Sequence, residues 1–185
     1  MLQSKDKIAE WIRKHDPHIC CLQETHLRTK DLHRLKVKGW KQIFQANGQE
    51  KKAGVAILIS DKIDFQRRAI KRDPGGHFII LKGRIHQEDV NIVNIYVPNI
   101  GAPKYIKKIL EDFKKDIDTN TIMVGDFNTL LSKMDRSSKQ NINKDIVSLN
   151  NALDEMDLTD VYIEPFMPKK QNTHSFQVSM ELFQR

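Results

Sequence analysis

The sequence predicts an α/β protein with a mixed β-sheet, and three observations support this class. Apolar residues recur at helical spacing in several segments, beginning with Ile8, Trp11 and Ile12. Short continuous apolar runs such as Ile19–Leu22 alternate with those segments, which is typical of strands buried on both faces. Two further strand patterns are separated only by a polar tetrapeptide, which indicates an antiparallel hairpin. A sheet with mixed strand directions, packed against helices, accommodates all three observations.

The elements follow in a clear order along the chain. The first helix is predicted to end near His15, because Pro17 disfavours helical geometry at Asp16 before it. Predicted strands cover residues 19–22, 54–60, 77–85, 90–96 and 121–124. Two more helices are predicted from apolar faces that comprise Ile106, Ile109, Leu110, Phe113 and Ile117 in one, and Ile146, Leu149, Leu153 and Met156 in the other.

Composition limits the classes of protein that this chain can belong to. Its 185 residues match one domain, and 31 Lys+Arg against 24 Asp+Glu give a net charge of +7. This excess favours a polyanionic partner, nucleic acid before membrane. The longest apolar run, residues 55–59, is far shorter than the ~20 residues of a membrane span, so we expect no membrane association. Cys20 and Cys21 are adjacent and have no disulfide partner, which predicts a nuclear or cytoplasmic protein rather than a secreted one.

Polar side chains follow several predicted strands at the point where each strand ends. Glu24 comes after the first strand, where a carboxylate is suited to Mg²⁺ or is an ordinary solvated strand-end residue. Asp126 and Asn128 flank Phe127, so in an extended segment both polar groups share one side. Gly125 is expected to let the backbone leave the strand sharply before this pair. The alternative for the pair is an Asx-type turn. Tyr96 ends another strand, where it either contacts phosphate or only packs.

Three short segments, taken in order, carry a family resemblance. They are Gln23-Glu24-Thr25-His26, Ile95-Tyr96-Val97-Pro98-Asn99 and Gly125-Asp126-Phe127-Asn128, and they resemble the endonuclease/exonuclease/phosphatase superfamily. The surrounding sequence is similar to the endonuclease domain of mammalian LINE retrotransposons, which is related to apurinic/apyrimidinic endonucleases and DNase I. The resemblance implies a four-layer α/β sandwich of two mixed sheets, DNase I-like, over residues 1–176. Residues 177–185 are then a divergent C-terminal tail.

The resemblance also implies roles for the strand-end residues. Glu24 is expected to bind a divalent metal, Mg²⁺ with Mn²⁺ as a substitute. Tyr96 is expected to approach the scissile phosphate as a catalytic residue. Asp126 and Asn128 are expected to orient the attacking water, to stabilise the transition state and to contribute to the metal site.

DNA is the partner that the resemblance implies, and two more residues are expected to contact it. Arg136 matches an arginine near a DNA-contacting loop of the family. A family threonine that touches the phosphate backbone falls near Thr173, although an ungapped match places His174 there. The seven histidines show no zinc-binding spacing, and we expect most of them at the surface.

The resemblance implies that both ends of the family domain are missing. The family has a first strand with a metal-site asparagine before the first helix, and a closing segment with a catalytic histidine and its aspartate partner. We therefore expect no closing strand here, and a Mg²⁺-dependent DNA endonuclease domain of retrotransposon origin that is weak or inactive. The alternative is a non-catalytic nucleic-acid-binding relic; a phospholipid or inositol-phosphate hydrolase fits the motifs but not the LINE-like segments. The residues expected to contact phosphates in that relic are Lys51, Lys52, Arg67, Arg68, Lys71, Arg72 and Arg136.

Overall fold

The computed structural model describes residues 3–27, 31, 33, 35–48, 53–98, 101–127, 144–156, 158–162 and 181–184. Three helices and nine strands occur in these ranges. The helices are α1 (Gln3–His15), α2 (Ala102–Phe113) and α3 (Lys144–Glu155). The strands are β1 (Ile19–Leu22), β2 (Gln42–Ala46), β3 (Val55–Ile59), β4 (Phe65–Arg72), β5 (Phe78–Ile85), β6 (Glu88–Tyr96), β7 (Thr121–Asp126), β8 (Thr159–Tyr162) and β9 (Glu181–Gln184).

The strands form two sheets. The smaller sheet has the order β1-β3-β2, and both of its described pairings are antiparallel. The larger sheet has the order β4-β5-β6-β7-β9-β8 and is mixed, because β6 and β7 run parallel while the other neighbours run antiparallel. The parallel pair is made possible by α2, which connects the C-terminal end of β6 to the start of β7.

Buried side chains form three clusters, which define four layers. The first cluster lies between α1 and the smaller sheet and includes Ile8, Ile12 and Leu58. The second lies between the two sheets, and the third lies between the larger sheet and the helices α2 and α3. Alternate residues of the central strands serve different clusters: Ile92 faces the smaller sheet, whereas Val93 faces the helices. The predicted α/β class and the DNase I-like sandwich are confirmed by this arrangement.

Several predicted details differ from the structure. The prediction that the chain has no closing strand is wrong, because β9 pairs with both β7 and β8. A strand of four residues is too short to produce a readable period. Ile117 is buried beside α2 but lies beyond its end at Phe113. The β5–β6 hairpin turns tightly at His86 and Gln87, both with positive φ, so β6 begins at Glu88 within the polar tetrapeptide, two residues earlier than predicted.

The role predicted for Gly125 is also wrong. This glycine lies inside β7 and pairs with Ile95 on β6. A Cβ atom at Gly125 would lie 2.5 Å from the carbonyl oxygen of Ile95. Glycine therefore permits close approach of the two parallel strands and does not form a sharp exit.

The two cysteines lie in the core at β1. Both are buried and free, with Cys20 in the cluster beneath α1 and Cys21 in the cluster between the sheets. Burial raises the pKa of the Cys20 thiol to about 12, which keeps it protonated at neutral pH. None of the described helices has the length and apolar character needed to cross a membrane.

Candidate functional site

Two of the predicted site residues lie side by side at one edge of the larger sheet. Because β6 and β7 are parallel neighbours, their C-terminal ends coincide, and Tyr96 pairs with Asp126. The backbone N–H of Val97 donates to the carbonyl oxygen of Asp126 at 3.0 Å, which extends the ladder past the end of β6. Phe127, the next residue, is 2% exposed in the helix-facing cluster. Its burial anchors the chain directly after Asp126.

Glu24 reaches the same edge from the smaller sheet. Its position is tied to β6 by a buried pair of amide side chains, Gln23 and Asn94, each 0% exposed. Gln23 Nε2 donates to Asn94 Oδ1 at 2.6 Å. Asn94 Nδ2 in turn donates to the carbonyl oxygens of Leu22 at 3.1 Å and Ala56 at 2.9 Å. Asn94, two residues before Tyr96, thus binds both β1 and β3 of the smaller sheet and also Gln23, the residue before Glu24.

The backbone at Glu24 leaves β1 in an unusual conformation. Glu24 and His26 have φ values of 50° and 48°, a left-handed region that non-glycine residues rarely adopt. Between them, Thr25 donates its N–H to the carbonyl oxygen of Gly54 at 3.0 Å. A Cβ atom at Gly54 would lie 2.3 Å from Thr25 Oγ1. The absence of a side chain at Gly54 therefore allows this turn to pack against the start of β3.

The raised pKa of Tyr96 indicates that Glu24 and Asp126 both lie near its hydroxyl. The Glu24 carboxylate lies close enough to the Tyr96 hydroxyl to raise its pKa, and the charge of Asp126 also acts on it. Burial, the Glu24 carboxylate and the Asp126 carboxylate together hold the pKa of Tyr96 well above its usual range, in that order of importance. The hydroxyl consequently stays protonated at neutral pH and is a hydrogen-bond donor. Glu24, Tyr96 and Asp126 form one cluster at the sheet edge, which we call the strand-end cluster.

Asn128, Arg136 and Thr173 lie outside the described residues, as do Lys51, Lys52 and His174. The roles assigned to them remain predictions.

The predicted phosphate-binding residues of β4 are described, and several have partners within the protein. Arg68 pairs with Asp89 at 3.1 Å, and Arg72 Nε donates to the carbonyl oxygen of Gln45 at 2.9 Å. Lys71 Nζ lies 3.4 Å from an Asp116 carboxylate oxygen. These side chains are nevertheless exposed along an edge strand of the larger sheet. Solvent-exposed ion pairs of this kind contribute only about 0–1 kcal/mol.

Sequence reasoning missed one histidine beside the cluster. His77 immediately precedes β5, and its ring lies parallel to that of Tyr96, with centroids 6.4 Å apart and planes 3° apart. Its Nδ1 lies 3.1 Å from Asp73 Oδ2. The turn Asp73-Pro74-Gly75-Gly76 is a signal that places His77 at the start of a strand. Only the antiparallel pairing of β5 with β6 then brings it next to Tyr96.

The donor set of the strand-end cluster is suited to a hard divalent cation. Glu24 and Asp126 supply carboxylate oxygens, the ligand type that Mg²⁺ prefers. Within the described ranges no group of three or more His, Cys, Asp or Glu side chains forms a ligand set. Mg²⁺ is commonly held by one or two carboxylates, with waters and substrate phosphate filling the other positions. Two carboxylates at an open sheet edge are therefore compatible with such a site.

Comparisons with known proteins bear on the family of this chain and on its fold. The profile of the endonuclease/exonuclease/phosphatase family matches residues 1–176. A DNA-(apurinic or apyrimidinic site) endonuclease of Dictyostelium discoideum is 30% identical over 98 residues, which cover 51% of this chain and 26% of that protein. The alignment thus spans about a quarter of the length of this curated relative.

Solved structures share the fold at low sequence identity. The endonuclease domain of TRAS1, a telomere-specific non-LTR retrotransposon, has a TM-score of 0.61 at 13% identity, covering 97% of this chain and 77% of that one. An AP endonuclease from Archaeoglobus fulgidus has a TM-score of 0.64 at 18% identity, covering 97% and 81%. The match of the family profile to nearly the whole chain, on a fold that these structures share, shows that the chain belongs to the endonuclease/exonuclease/phosphatase family.

Proposed function

We propose that this chain is a divalent-metal-dependent phosphodiesterase domain that acts on DNA. The observation that carries the proposal is the strand-end cluster, in which the Glu24 carboxylate acts on the Tyr96 hydroxyl and Tyr96 pairs with Asp126. Two carboxylates and a protonated hydroxyl at one open edge suit a phosphodiester, whose anionic oxygens need both a cation and a hydrogen-bond donor. Family membership and the likeness to AP-endonuclease and retrotransposon-endonuclease folds support the same chemistry.

Each residue of the cluster has a chemical task in this proposal. Glu24 and Asp126 would hold Mg²⁺, with Asn128 as a further oxygen ligand, and the ion would supply Lewis-acid stabilisation of charge on the phosphate. Tyr96 donates a hydrogen bond to a phosphoryl oxygen, because its raised pKa keeps the hydroxyl protonated. Asp126 also accepts a hydrogen bond from the attacking water and so orients it. Arg136 and Thr173 remain proposed contacts to the DNA backbone.

A plasmid-nicking assay tests the proposal. Supercoiled DNA is incubated with the chain in Mg²⁺, in Mn²⁺ and in EDTA, and the nicked form is quantified. We expect slow, metal-dependent nicking that Glu24→Gln and Asp126→Asn each reduce by about 10²–10³-fold, as is typical of removing one electrostatic contributor. Asp116→Asn is the matched control, since this acidic residue pairs with Lys71 and Lys82 instead. Nicking that persists unchanged in both cluster variants would refute the assignment.

Non-catalytic DNA binding is the second candidate, and the exposed basic strand β4 favours it. Four basic side chains of this edge strand, at positions 67, 68, 71 and 72, are solvent-exposed. Binding through them is expected to weaken with salt, with log K falling by about 0.9 per phosphate contact for each decade of salt. A chain that binds DNA in this salt-dependent way, but whose nicking rate matches that of Asp126→Asn, would fit this candidate.

The proposed origin is a retrotransposon endonuclease of the LINE type.

A further inference from the structure

His77 is held in a defined orientation at the rim of the strand-end cluster. Its carbonyl oxygen accepts the N–H of Tyr96 at 2.7 Å, which ties the start of β5 to the end of β6. Its ring is parallel to the Tyr96 ring, and the Tyr105 ring approaches with its edge at 5.8 Å between centroids. Two aromatic neighbours and one backbone bond therefore fix the imidazole close to the Tyr96 side chain.

Asp73 determines which ring nitrogen of His77 is left to contact a ligand. One oxygen of Asp73, Oδ2, lies 3.1 Å from His77 Nδ1 and also accepts the backbone N–H of His77 at 2.8 Å. The carboxylate is acceptor-only when ionised, so Nδ1 carries a proton toward it. Nε2 lies on the other side of the ring, and within the described part of the chain no hydrogen bond involves it. The His77 side chain is 31% exposed, so the imidazole is partly accessible to solvent.

Close backbone packing at Gly76 supports the loop that carries Asp73 and His77. A Cβ atom at Gly76 would lie 2.3 Å from the backbone nitrogen of Gly48, so the turn before β5 packs directly on the segment that follows β2. Gly76 has a φ of 78°, which suits glycine. The loop that carries Asp73 and His77 is therefore supported from the smaller sheet, and the imidazole is fixed relative to both sheets.

We propose that His77 contacts a DNA phosphate beside the scissile one, with Asp73 presenting its Nε2 next to Tyr96. The inference rests on the proposed function, because it takes Tyr96 to face the scissile phosphate. A ring that Asp73 engages at Nδ1 and a phosphate oxygen engages at Nε2 carries a proton on both nitrogens and one positive charge. Such a charge-assisted hydrogen bond adds affinity and fixes the register of the strand.

The test is DNA binding by the full chain in EDTA, which separates binding from cleavage. Fluorescence anisotropy is measured with a labelled duplex and with duplexes that carry a single methylphosphonate at successive positions. We expect His77→Gln to bind about tenfold more weakly, the effect of losing one hydrogen bond to a charged group. We also expect that, at one position only, a methylphosphonate that weakens binding by the unmodified chain no longer weakens binding by His77→Gln. His77→Arg retains a cation and is expected to restore both affinity and that sensitivity.

His86 supplies the matched control. It lies at the opposite end of β5, roughly 30 Å away at about 3.3 Å per residue, and it is exposed in a turn. His86→Gln should bind the duplexes as the unmodified chain does. Circular dichroism and thermal unfolding of every variant verify that the fold is retained.

Each outcome decides the inference. Equal affinity of His77→Gln and the unmodified chain overturns it, as does weaker binding with every methylphosphonate penalty retained, since His77 would then only order its loop. If no form of the chain binds the duplex, both this inference and the proposed function fail. If the unmodified chain binds, His77→Gln loses one phosphate position and no form nicks plasmid, the nuclease proposal fails while the phosphate contact stands.

Discussion

Asn94→Ala is expected to destabilise the protein by about 4 kcal/mol, far more than a typical surface substitution. Three hydrogen bonds end on the Asn94 side chain, and its removal leaves Gln23 Nε2 and the carbonyl oxygens of Leu22 and Ala56 without that partner. A buried group that loses its partner costs about 1–3 kcal/mol, so three groups cost at least about 3 kcal/mol. The cavity that remains adds on the order of 1 kcal/mol.

Urea unfolding followed by tryptophan fluorescence measures this free energy. Trp40 is a suitable probe because it is only 6% exposed in the cluster beneath α1. Asn91→Ala is the matched control, since Asn91 lies on the same strand and its side chain makes one such bond, from Nδ2 to Asp118 Oδ2 at 2.8 Å. We expect about 1 kcal/mol for that variant. Equal losses in Asn91→Ala and Asn94→Ala would refute the view that Asn94 links the two sheets.

Three further predictions concern the site and the core. Glu24→Gln should lower the pKa of Tyr96, measured by ultraviolet titration of tyrosinate, because it removes a carboxylate that raises this pKa; an unchanged titration contradicts the proximity of Glu24 to the hydroxyl. Gly54→Ala should cost about 1–3 kcal/mol more unfolding free energy than Gly39→Ala in urea unfolding. Both glycines have positive φ, but of the two only Gly54 has a neighbouring atom in the space that a Cβ would occupy. Equal costs would contradict that packing. Burial raises the pKa of Cys20 from 9.0 to about 12, so the unfolded chain releases this proton first as the pH increases. The unfolding free energy should therefore fall between pH 9.0 and 12, and Cys20→Ala should reduce this slope. An equal slope in Cys20→Ala argues against thiol burial as the cause.

The buried strands were predictable because their side chains carry a strong local signal. Val55–Ile59 is fully buried and reads as a continuous apolar run, and Ile19–Leu22 is a second such run in which all residues except Ile19 are buried. Glu24, Tyr96 and Asp126 were also predictable as strand-end residues, because apolar runs stop just before them. Their meeting at one edge depends on the parallel pairing of β6 with β7, which local periodicity does not encode.

The remaining features depend on contacts between distant parts of the chain. Gln23 and Asn94 are 71 residues apart, and nothing in either local sequence marks them as partners. Strand β4 was missed because an edge strand with exposed basic side chains lacks both an apolar run and a clean alternation. His77 was read as a surface residue, since its proximity to Tyr96 arises only from the antiparallel register of β5 and β6.

Binding of Mn²⁺, followed by electron paramagnetic resonance of the free ion, tests most directly whether the strand-end cluster is a metal site. This measurement does not depend on the rate of DNA cleavage. We expect the unmodified chain to bind Mn²⁺, with affinity reduced at least about tenfold in Glu24→Gln and in Asp126→Asn, since each removes a proposed ligand. Asp116→Asn should bind as the unmodified chain does. Equal Mn²⁺ affinity in all four proteins would contradict the assignment of the metal to Glu24 and Asp126.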